Sequence, residues 1–389
     1  MTFKATVLSI DGGGIKGIFP AMVLAEIEEK TGKHICELFD FIAGTSTGGI
    51  LALGLTVPSK ENRNKPLFTA KELVNLYRKK GEIIFQGRKQ EGFLDNAKLK
   101  PLKPVLALLA PGVEAEDLFS SRHSRRGKQN VINDYFGDTY IKESLTEVFI
   151  TSYATNFRKP IFFTSNPKKE QEYKTSQSFR MICEGYKMVD AALATSAAPT
   201  YFKPYYVDAI NHPDKGYTLI DGGVFANNPA SIAIIEAMNS YKSRTGDNIS
   251  LDDLLVVSIG TGKKVRGWDI KDIADWGQVK WVEPLIDITL NGQSEVVDYQ
   301  MEQLLLTSTY NPPKTTQTKK QYYRFQPQYS ETKQSEDFSL NEKSVIYVND
   351  RMDDASPDNL SNLVEASNRF IEFEKKNLES LITQLQSGL

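Results

Sequence analysis

The sequence predicts an α/β fold in which a mostly parallel central sheet is covered by helices on both faces. Strand-like apolar runs alternate with helix-length segments from residue 5 to about residue 262, as in parallel sheets with crossover helices. The chain has 389 residues, of which 40% are apolar, enough to bury one large core. The candidate strands are residues 5–10, 38–43, 147–154, 160–164, 217–221 and 254–259.

A glycine-rich turn follows the first predicted strand. Residues 11–17 read Asp-Gly-Gly-Gly-Ile-Lys-Gly and precede a predicted helix. Gly12, Gly14 and Gly17 satisfy the G-x-G-x-x-G pattern of dinucleotide sites. That fingerprint also requires an acidic residue at the end of the second strand, but here the second strand ends in the turn that contains Ser46. Amides at a helix N-terminus also stabilise the oxyanion of acyl transfer. Lys16 either adds a positive charge near these amides or is a solvated residue at the helix start.

The second motif lies between the strand at 38–43 and an apolar helical segment. Residues 44–48 read Gly-Thr-Ser-Thr-Gly, and G-x-S-x-G in this context indicates a nucleophile elbow. The flanking glycines allow two backbone segments to approach closely at a sharp turn. In this interpretation Ser46 is a nucleophile and the amide of Thr47 is a candidate oxyanion donor. The alternative is a plain Gly/Ser turn.

A nucleophilic serine needs a base, and the chain has only three histidines. His34, His123 and His212 each lie in polar surroundings, so we expect solvated loop residues. A Ser-His-Asp triad stays open, because its members need to be close only in space.

A carboxylate is the better candidate for the base. Asp221 ends the predicted strand 217–221 and is followed by Gly222 and Gly223, so another loop can approach its side chain. The alternative is an Asp-Gly turn residue. A carboxylate is a weak base at its ordinary pKa, so the catalytic interpretation requires a partly desolvated site that raises it.

Taken together, the three motifs resemble those of the patatin-like phospholipases, acyl hydrolases named after a plant storage protein. The stretch 190–202 resembles a fourth block of this family, and 257–262 resembles its late core strand. Residues 291–299 and 352–356 are also similar to the family, so the resemblance covers most of the chain.

The resemblance implies a patatin-like fold related to the α/β-hydrolases, with a Ser-Asp dyad. Ser46 is then the nucleophile and Asp221, 175 residues later, its base. The family's oxyanion donors correspond to backbone amides of Gly12, Gly13 and Gly14, with Thr47 as a further candidate. The other motif residues, which support these loops, are Asp11, Lys16, Gly17, Gly44, Gly48, Gly222 and Gly223.

The activity implied by the resemblance is a lipid acyl hydrolase of the phospholipase A type. Its substrate is a phospholipid or glycolipid at a membrane or micelle interface, and no cofactor is implied. Acidic residues are scattered without EF-hand spacing, so we expect no metal requirement. Two alternatives stay open: a phospholipase effector of bacterial antiphage defence that a small-molecule nucleotide activates, and a storage-type protein with residual esterase activity.

Composition restricts the setting of this activity. The net charge of −2 argues against a nucleic-acid partner. Cys36 and Cys183 form no disulfide framework or metal spacing, which favours a reducing compartment. The sequence enters its first strand directly, which leaves no room for a signal peptide, and it has no apolar run of 18 residues. We therefore expect a cytoplasmic enzyme whose membrane contact is peripheral.

The remaining segments are interpreted from their polarity. Residues 101–112 are apolar and 122–128 are basic, which suits a lid at a lipid interface or, as we favour, a buried helix followed by a solvated charge run. Helix patterns at 282–306 and 360–385 flank the polar stretch 311–339, with a short strand near 321–325. We expect one domain over residues 1–389, with a core at about 5–262 and a helical extension at 263–389.

Overall fold

The computed structural model describes residues 3–85, 123, 125–170, 179–210, 212–264, 267–307, 320–330, 346–349 and 351–387. The strands in these ranges are β1 (Ala5–Ile10), β2 (Phe41–Gly44), β3 (Glu147–Ala154), β4 (Lys159–Thr164), β5 (Arg180–Ile182), β6 (Tyr205–Ala209), β7 (His212–Asp221), β8 (Leu254–Ile259), β9 (Lys263–Lys264), β10 (Tyr322–Phe325), β11 (Gln328–Ser330) and β12 (Ile346–Tyr347). The α-helices are α1 (Ile18–Thr31), α2 (Ile35–Leu38), α3 (Thr47–Gly54), α4 (Ala70–Ile84), α5 (Arg125–Phe136), α6 (Met188–Thr195), α7 (Gly223–Ala226), α8 (Ala230–Thr245), α9 (Ile270–Ile273), α10 (Gln278–Thr307), α11 (Pro357–Phe373) and α12 (Lys375–Ser387).

Within the described ranges, nine strands form the main sheet, and its larger part is parallel. The order β10-β8-β1-β2-β3 is parallel throughout. Strand β3 then pairs antiparallel with β4, which is parallel to β5, and the hairpin of β6 and β7 joins β3 through β7. Strands β9, β11 and β12 form a small separate sheet. The predicted α/β class with a mostly parallel sheet is confirmed.

Helices cover both faces of the sheet. Successive side chains of each buried strand point to opposite faces, so both faces carry apolar side chains that must be covered. In β1, Leu8 belongs to one hydrophobic cluster together with residues of α1 and α4. Its neighbour Val7 belongs to a second cluster, which includes Ala233 and Ile234 of α8 and Met301 of α10. The two faces therefore have separate cores on either side of the parallel strands.

The three largest differences between predicted and observed bounds have identifiable reasons. The strand expected at 38–43 begins at Phe41, because residues 35–38 form the helical turn α2. The strand expected at 217–221 starts at His212, because it pairs with β6 as a hairpin. The helix pattern at 360–385 consists of α11 and α12, which are separated at Glu374.

The C-terminal part of the chain contributes to the main sheet. Strand β10, which was expected near residues 321–325, pairs in parallel with β8 and places Tyr322 opposite Val256. It therefore extends the sheet that carries the predicted motifs. None of the helices in the described ranges has the length and apolarity that a membrane span requires.

Candidate active site

Strands β2 and β7 lie end to end along one edge of β3. Strand β2 is parallel to β3, and its last residue, Gly44, is opposite Ile150. Strand β7 is antiparallel to β3, and its last residue, Asp221, is opposite Ser152. The carboxyl ends of β2 and β7 therefore face each other two positions apart on β3. This topology places Ser46 beside Asp221.

Ser46 occupies a strained turn between β2 and α3. Its φ of 54° and ψ of −121° are unusual for a residue with a side chain, and such conformations persist only where the surroundings hold them. A Cβ on Gly44 would lie 2.3 Å from the carbonyl oxygen of Gly48, so the turn can close only around glycine. The Ser46 side chain is partly exposed, as a nucleophile must be. This geometry is that of the predicted nucleophile elbow.

Residues of the block at 190–202 accept hydrogen bonds from the backbone of both Ser46 and Asp221. The amide of Ser46 donates a hydrogen bond to Thr195 Oγ1 at 2.8 Å. The amide of Asp221 donates to the carbonyl oxygen of Ala197 at 3.1 Å. One short segment therefore fixes the relative position of two residues that are far apart in sequence.

The Asp221 carboxylate is buried and accepts two hydrogen bonds. The Ser46 side chain donates one, and the Gly223 amide donates the other to Oδ1 at 2.8 Å. Asp221 is only 5% exposed, and burial raises its pKa to about 6, against the opposing effects of both hydrogen bonds and of the Lys128 charge. The carboxylate is therefore a stronger base than an exposed aspartate.

The glycine-rich loop lies directly against the serine. A Cβ on Gly12 would come within 3.1 Å of Ser46 Cβ. The Gly12 amide already donates to the carbonyl oxygen of Asn227 at 3.1 Å. Among the described residues, the amides of Gly13 and Gly14 have no protein acceptor, and both glycines line cavities that contain Ser46. These two amides are better placed than that of Gly12 to receive an oxyanion.

Asp11, at the start of this loop, is held by a residue that sequence reasoning did not find. Arg324 of β10 donates from Nη1 to Asp11 Oδ1 at 3.0 Å and from Nη2 to Oδ2 at 2.6 Å. It also donates to the hydroxyl of Ser258 at 2.8 Å. Both side chains of the ion pair are buried, at 9% and 1% exposure. Because Arg324 is 313 residues from Asp11, no local pattern could have indicated it.

The remaining motif residues pack tightly around the two loops. Lys16 is buried, so the alternative of a solvated helix-start residue is wrong. A Cβ on Gly17 would lie 2.2 Å from the hydroxyl of Thr47, and one on Gly222 would lie 2.0 Å from that of Thr151. A Cβ on Gly48 would lie 2.2 Å from the carbonyl oxygen of Ile10. These glycines are required because backbone and side chains pass too closely for a larger residue.

Two apolar cavities meet at Ser46. The first, of about 200 Å³, also contains Gly13 and Asp221 and is lined by apolar side chains of α10 such as Leu285 and Leu290. The second, of about 40 Å³, lies against α3 and α4, with walls formed by Ile50, Leu76, Tyr77, Ile84, Phe85, Tyr201 and Phe202. A larger open cleft of about 640 Å³ is lined by Lys4, Asp40 and Thr146 and contains none of the predicted site residues.

The basic stretch 122–128 differs from its prediction as a solvated charge run. His123 is buried, its Nε2 is 3.0 Å from Asp353 Oδ2, and its ring packs against Tyr201 and Phe202. Lys128 is also buried and donates from Nζ to the Ser196 carbonyl oxygen at 2.8 Å. Solvation was therefore wrongly predicted for His123 and Lys128, whereas Arg126 is exposed as expected. Lys128 is buried because α5 packs against α4 and α6.

The other two histidines lie elsewhere in the fold. His34 precedes α2 and is partly exposed, with Nδ1 3.7 Å from Glu28. His212 begins strand β7 instead of lying in a loop.

The apolar segment 101–112 lies outside the described residues. In the described part of the chain, no three His, Cys, Asp or Glu side chains form a cluster that could hold a metal ion.

Comparison with known proteins agrees with the motif resemblance. A family model described as Patatin-like phospholipase matches residues 8–234. Patatin-like protein 2 of Arabidopsis thaliana is 34% identical, covering 76% of this chain and 71% of the relative. The relative named Probable inactive patatin-3-Kuras 1, of Solanum tuberosum, is 30% identical over 76% of this chain and 73% of its own length. Patatin-2-Kuras 3, also of Solanum tuberosum, is 28% identical over 94% of this chain and 83% of the relative.

Proposed function

This chain belongs to the patatin-like phospholipase family, and from that premise we propose that it hydrolyses fatty-acyl esters of lipids through Ser46 and Asp221. Family membership supports lipid acyl hydrolase activity in general. The dyad, the oxyanion donors and the phospholipase A type of cleavage are our proposals.

The observation that carries the proposal is the contact between Ser46 and Asp221. The serine hydroxyl donates to a buried carboxylate whose pKa is raised to about 6, at the end of a strained strand-to-helix turn. A base with a pKa just below neutral pH is ionised at pH 7 and still accepts a proton effectively. Gly13 and Gly14 each line a cavity that contains Ser46, which supports their amides as the oxyanion donors.

The proposed reaction has two steps. Asp221 accepts the Ser46 proton while the serine oxygen attacks the ester carbonyl, and the glycine amides stabilise the oxyanion. Asp221 returns the proton to the leaving alcohol, such as a lysophospholipid. Water then attacks the acyl-enzyme, Asp221 accepts its proton, and the fatty acid leaves as Ser46 regains its hydrogen.

The cavities support a lipid ester as the substrate. Both cavities that contain Ser46 have mainly apolar walls, so an apolar chain can lie on either side of the reacting carbon. A fatty-acyl chain and the remainder of a phospholipid or glycolipid have this character.

One of the similar proteins is named as probably inactive, so activity must be measured. The assay is fatty-acid release from mixed phospholipid and galactolipid vesicles in the presence of EDTA, which removes divalent cations. We expect wild type to release fatty acid, and Ser46→Ala and Asp221→Ala to lose nearly all of it. Activity that survives Ser46→Ala would refute the proposed mechanism.

Two controls complete the experiment. Asp208→Asn makes a charge-neutralising change on the exposed side of β6, and it should leave the rate unchanged. A wild type that is silent without addition but active with a cyclic or linear nucleotide would identify the activated-effector alternative. A wild type that is silent in every condition would favour a storage-type protein.

A further inference from the structure

The three tryptophans of this chain cluster where the chain leads into α10: Trp268 and Trp276 precede the helix, and Trp281 lies in its first turn. The ring centroids of Trp268 and Trp276 are 5.9 Å apart, and those of Trp276 and Trp281 are 5.2 Å apart. Trp268 is exposed, and the adjacent Ile270 is 72% exposed. Tryptophan is enriched where proteins meet the boundary between lipid and water, because its ring is apolar and its N–H is polar.

An apolar stripe continues from this cluster along α10. Exposed apolar residues recur on one face of the helix at Val282, Leu285, Ile288, Val296 and Tyr299, a spacing that keeps them on a single side. The stripe is about 25 Å long at 1.5 Å per residue. Buried residues of the same helix, Met301 and Leu305, belong to the core, so the stripe is the side of α10 turned away from the sheet.

Leu285 connects this stripe to the active site. It is 51% exposed, and it also lines the first cavity, which contains Ser46 and Asp221. A lipid that enters the first cavity at Leu285 would contact mainly apolar side chains between the bilayer and Ser46. A protein partner seated on the same stripe would cover this entrance, so the position favours a lipid surface as the occupant.

We propose a docking face that seats the protein on a zwitterionic lipid surface, with the first cavity open to the bilayer. This docking face consists of the α10 stripe together with Trp268, Ile270, Trp276 and Trp281. The charges near the cluster favour zwitterionic lipid, because exposed acidic and basic residues are mixed: Asp269, Lys271, Asp272, Asp275 and Lys280. The proposal rests on the proposed lipid hydrolase function for its purpose, but its binding test does not depend on turnover.

The native tryptophans provide the probe. Because all three lie in the docking face, tryptophan fluorescence, excited selectively over that of tyrosine, reports on this surface. Ser46→Ala protein is mixed with phosphatidylcholine vesicles whose acyl chains carry bromine, which quenches tryptophan on contact. We expect a blue shift and quenching that persist in 0.5 M NaCl, because the contact is hydrophobic. Sedimentation with vesicles but without quenching would overturn the proposal, as would a strict requirement for anionic lipid.

A set of surface variants tests the stripe directly. The triple change Ile270→Ser, Val296→Ser and Tyr299→Ser should reduce vesicle partitioning at least about tenfold, because it removes three large apolar contacts. The matched control is Phe373→Ser, which removes a side chain that is 57% exposed on α11 and should have no effect.

Two further measurements separate this proposal from its alternatives. In protein with Ser46 intact, the triple variant should lose vesicle hydrolysis but keep hydrolysis of a soluble short-chain ester, because none of its positions lines either cavity. Light scattering measures the mass of wild type and the triple variant without lipid. A dimer that becomes a monomer while vesicle binding is unchanged would show that a second copy covers the stripe, which would overturn the proposal. If no ester is hydrolysed but quenching persists, the hydrolase proposal fails and the docking face stands.

Discussion

Replacing Asp221 by asparagine should stabilise this protein at neutral pH while it removes activity. Burial raises the pKa of the Asp221 carboxyl group to about 6 in the folded chain, from an ordinary value of 3.8. The folded state therefore keeps a proton that the unfolded chain has already released. As a result, the carboxylate costs stability once it must ionise inside the fold.

The magnitude and the pH window follow from these two values. For an acid whose folded pKa is raised, stability is lost as pH rises from the unfolded pKa, near 4, to the folded pKa, near 6. At 1.36 kcal/mol for each pKa unit, the loss is about 3 kcal/mol above pH 6. Asp221→Asn has no charge to bury, so its stability relative to wild type should improve by that amount between pH 4 and pH 7.5.

The assay is urea denaturation of wild type and Asp221→Asn at a series of pH values between 4 and 7.5. Differences caused by lost hydrogen bonds do not change with pH, so the pH-dependent part isolates the buried charge. Asp208→Asn, on the exposed side of β6, is the matched control and should show no such trend. A stability difference that is the same at pH 4 and pH 7.5 would refute the reasoning.

Ser46→Ala should have the opposite effect on stability. The Ser46 hydrogen bond lowers the pKa of Asp221, so its loss raises this pKa further and increases the cost of ionisation. We therefore expect Ser46→Ala to be less stable than wild type at pH 7.5 and to approach it at pH 4. We therefore expect two variants that both lose activity to differ in the sign of their stability change.

Three further predictions concern residues around the dyad. The charge of Lys128 lowers the pKa of Asp221. With a soluble ester as substrate, Lys128→Met should therefore move the acid limb of the kcat/KM pH profile, expected near pH 6, to higher pH. An acid limb that does not move would contradict the assignment of Asp221 as the base. Gly13→Ala places a Cβ 2.1 Å from Thr261 Oγ1. By displacing a proposed oxyanion donor, it should lower kcat on a soluble ester about 10²–10³-fold. The control Gly292→Ala, whose Cβ would have no atom within 4 Å, should keep this activity. Arg324→Met leaves the Asp11 carboxylate buried without its partner, so it should lower the free energy of unfolding in urea by about 3–5 kcal/mol. Adding Asp11→Asn should recover most of this loss. Equal instability of the single and double variants would count against the ion pair.

The parts of the site that could be predicted from sequence are those with local requirements. The turn at Ser46 needs glycines on both sides, and Asp221 ends a strand before two more glycines, so each left a short pattern in the sequence. Strands β1, β3 and β8 were predicted with their observed bounds, because each is a short segment rich in apolar and β-branched residues.

The parts that could not be predicted depend on contacts between distant residues. Arg324 and His123 resemble surface charges in sequence, and only the fold shows that they face Asp11 and Asp353. The buried side chain of Lys128 was missed for the same reason. The exposed stripe on α10 was also missed, since the apolar pattern at 282–306 predicts a helix without indicating which of its sides the protein covers.

The proposed dyad explains how a serine hydrolase could function without a histidine at its centre. A free imidazole has a pKa of about 6.5, which suits it as a base near neutral pH, whereas a free aspartate has a pKa of about 3.9. Burial moves the pKa of Asp221 to about 6, close to that of imidazole. Strands β2 and β7 meet end to end on β3, and this brings Ser46 and Asp221 into contact. In a triad, by contrast, a third side chain orients the base. The free energy lost by burying the charge is therefore the source of the basicity, which is why Asp221→Asn should gain stability and lose catalysis together.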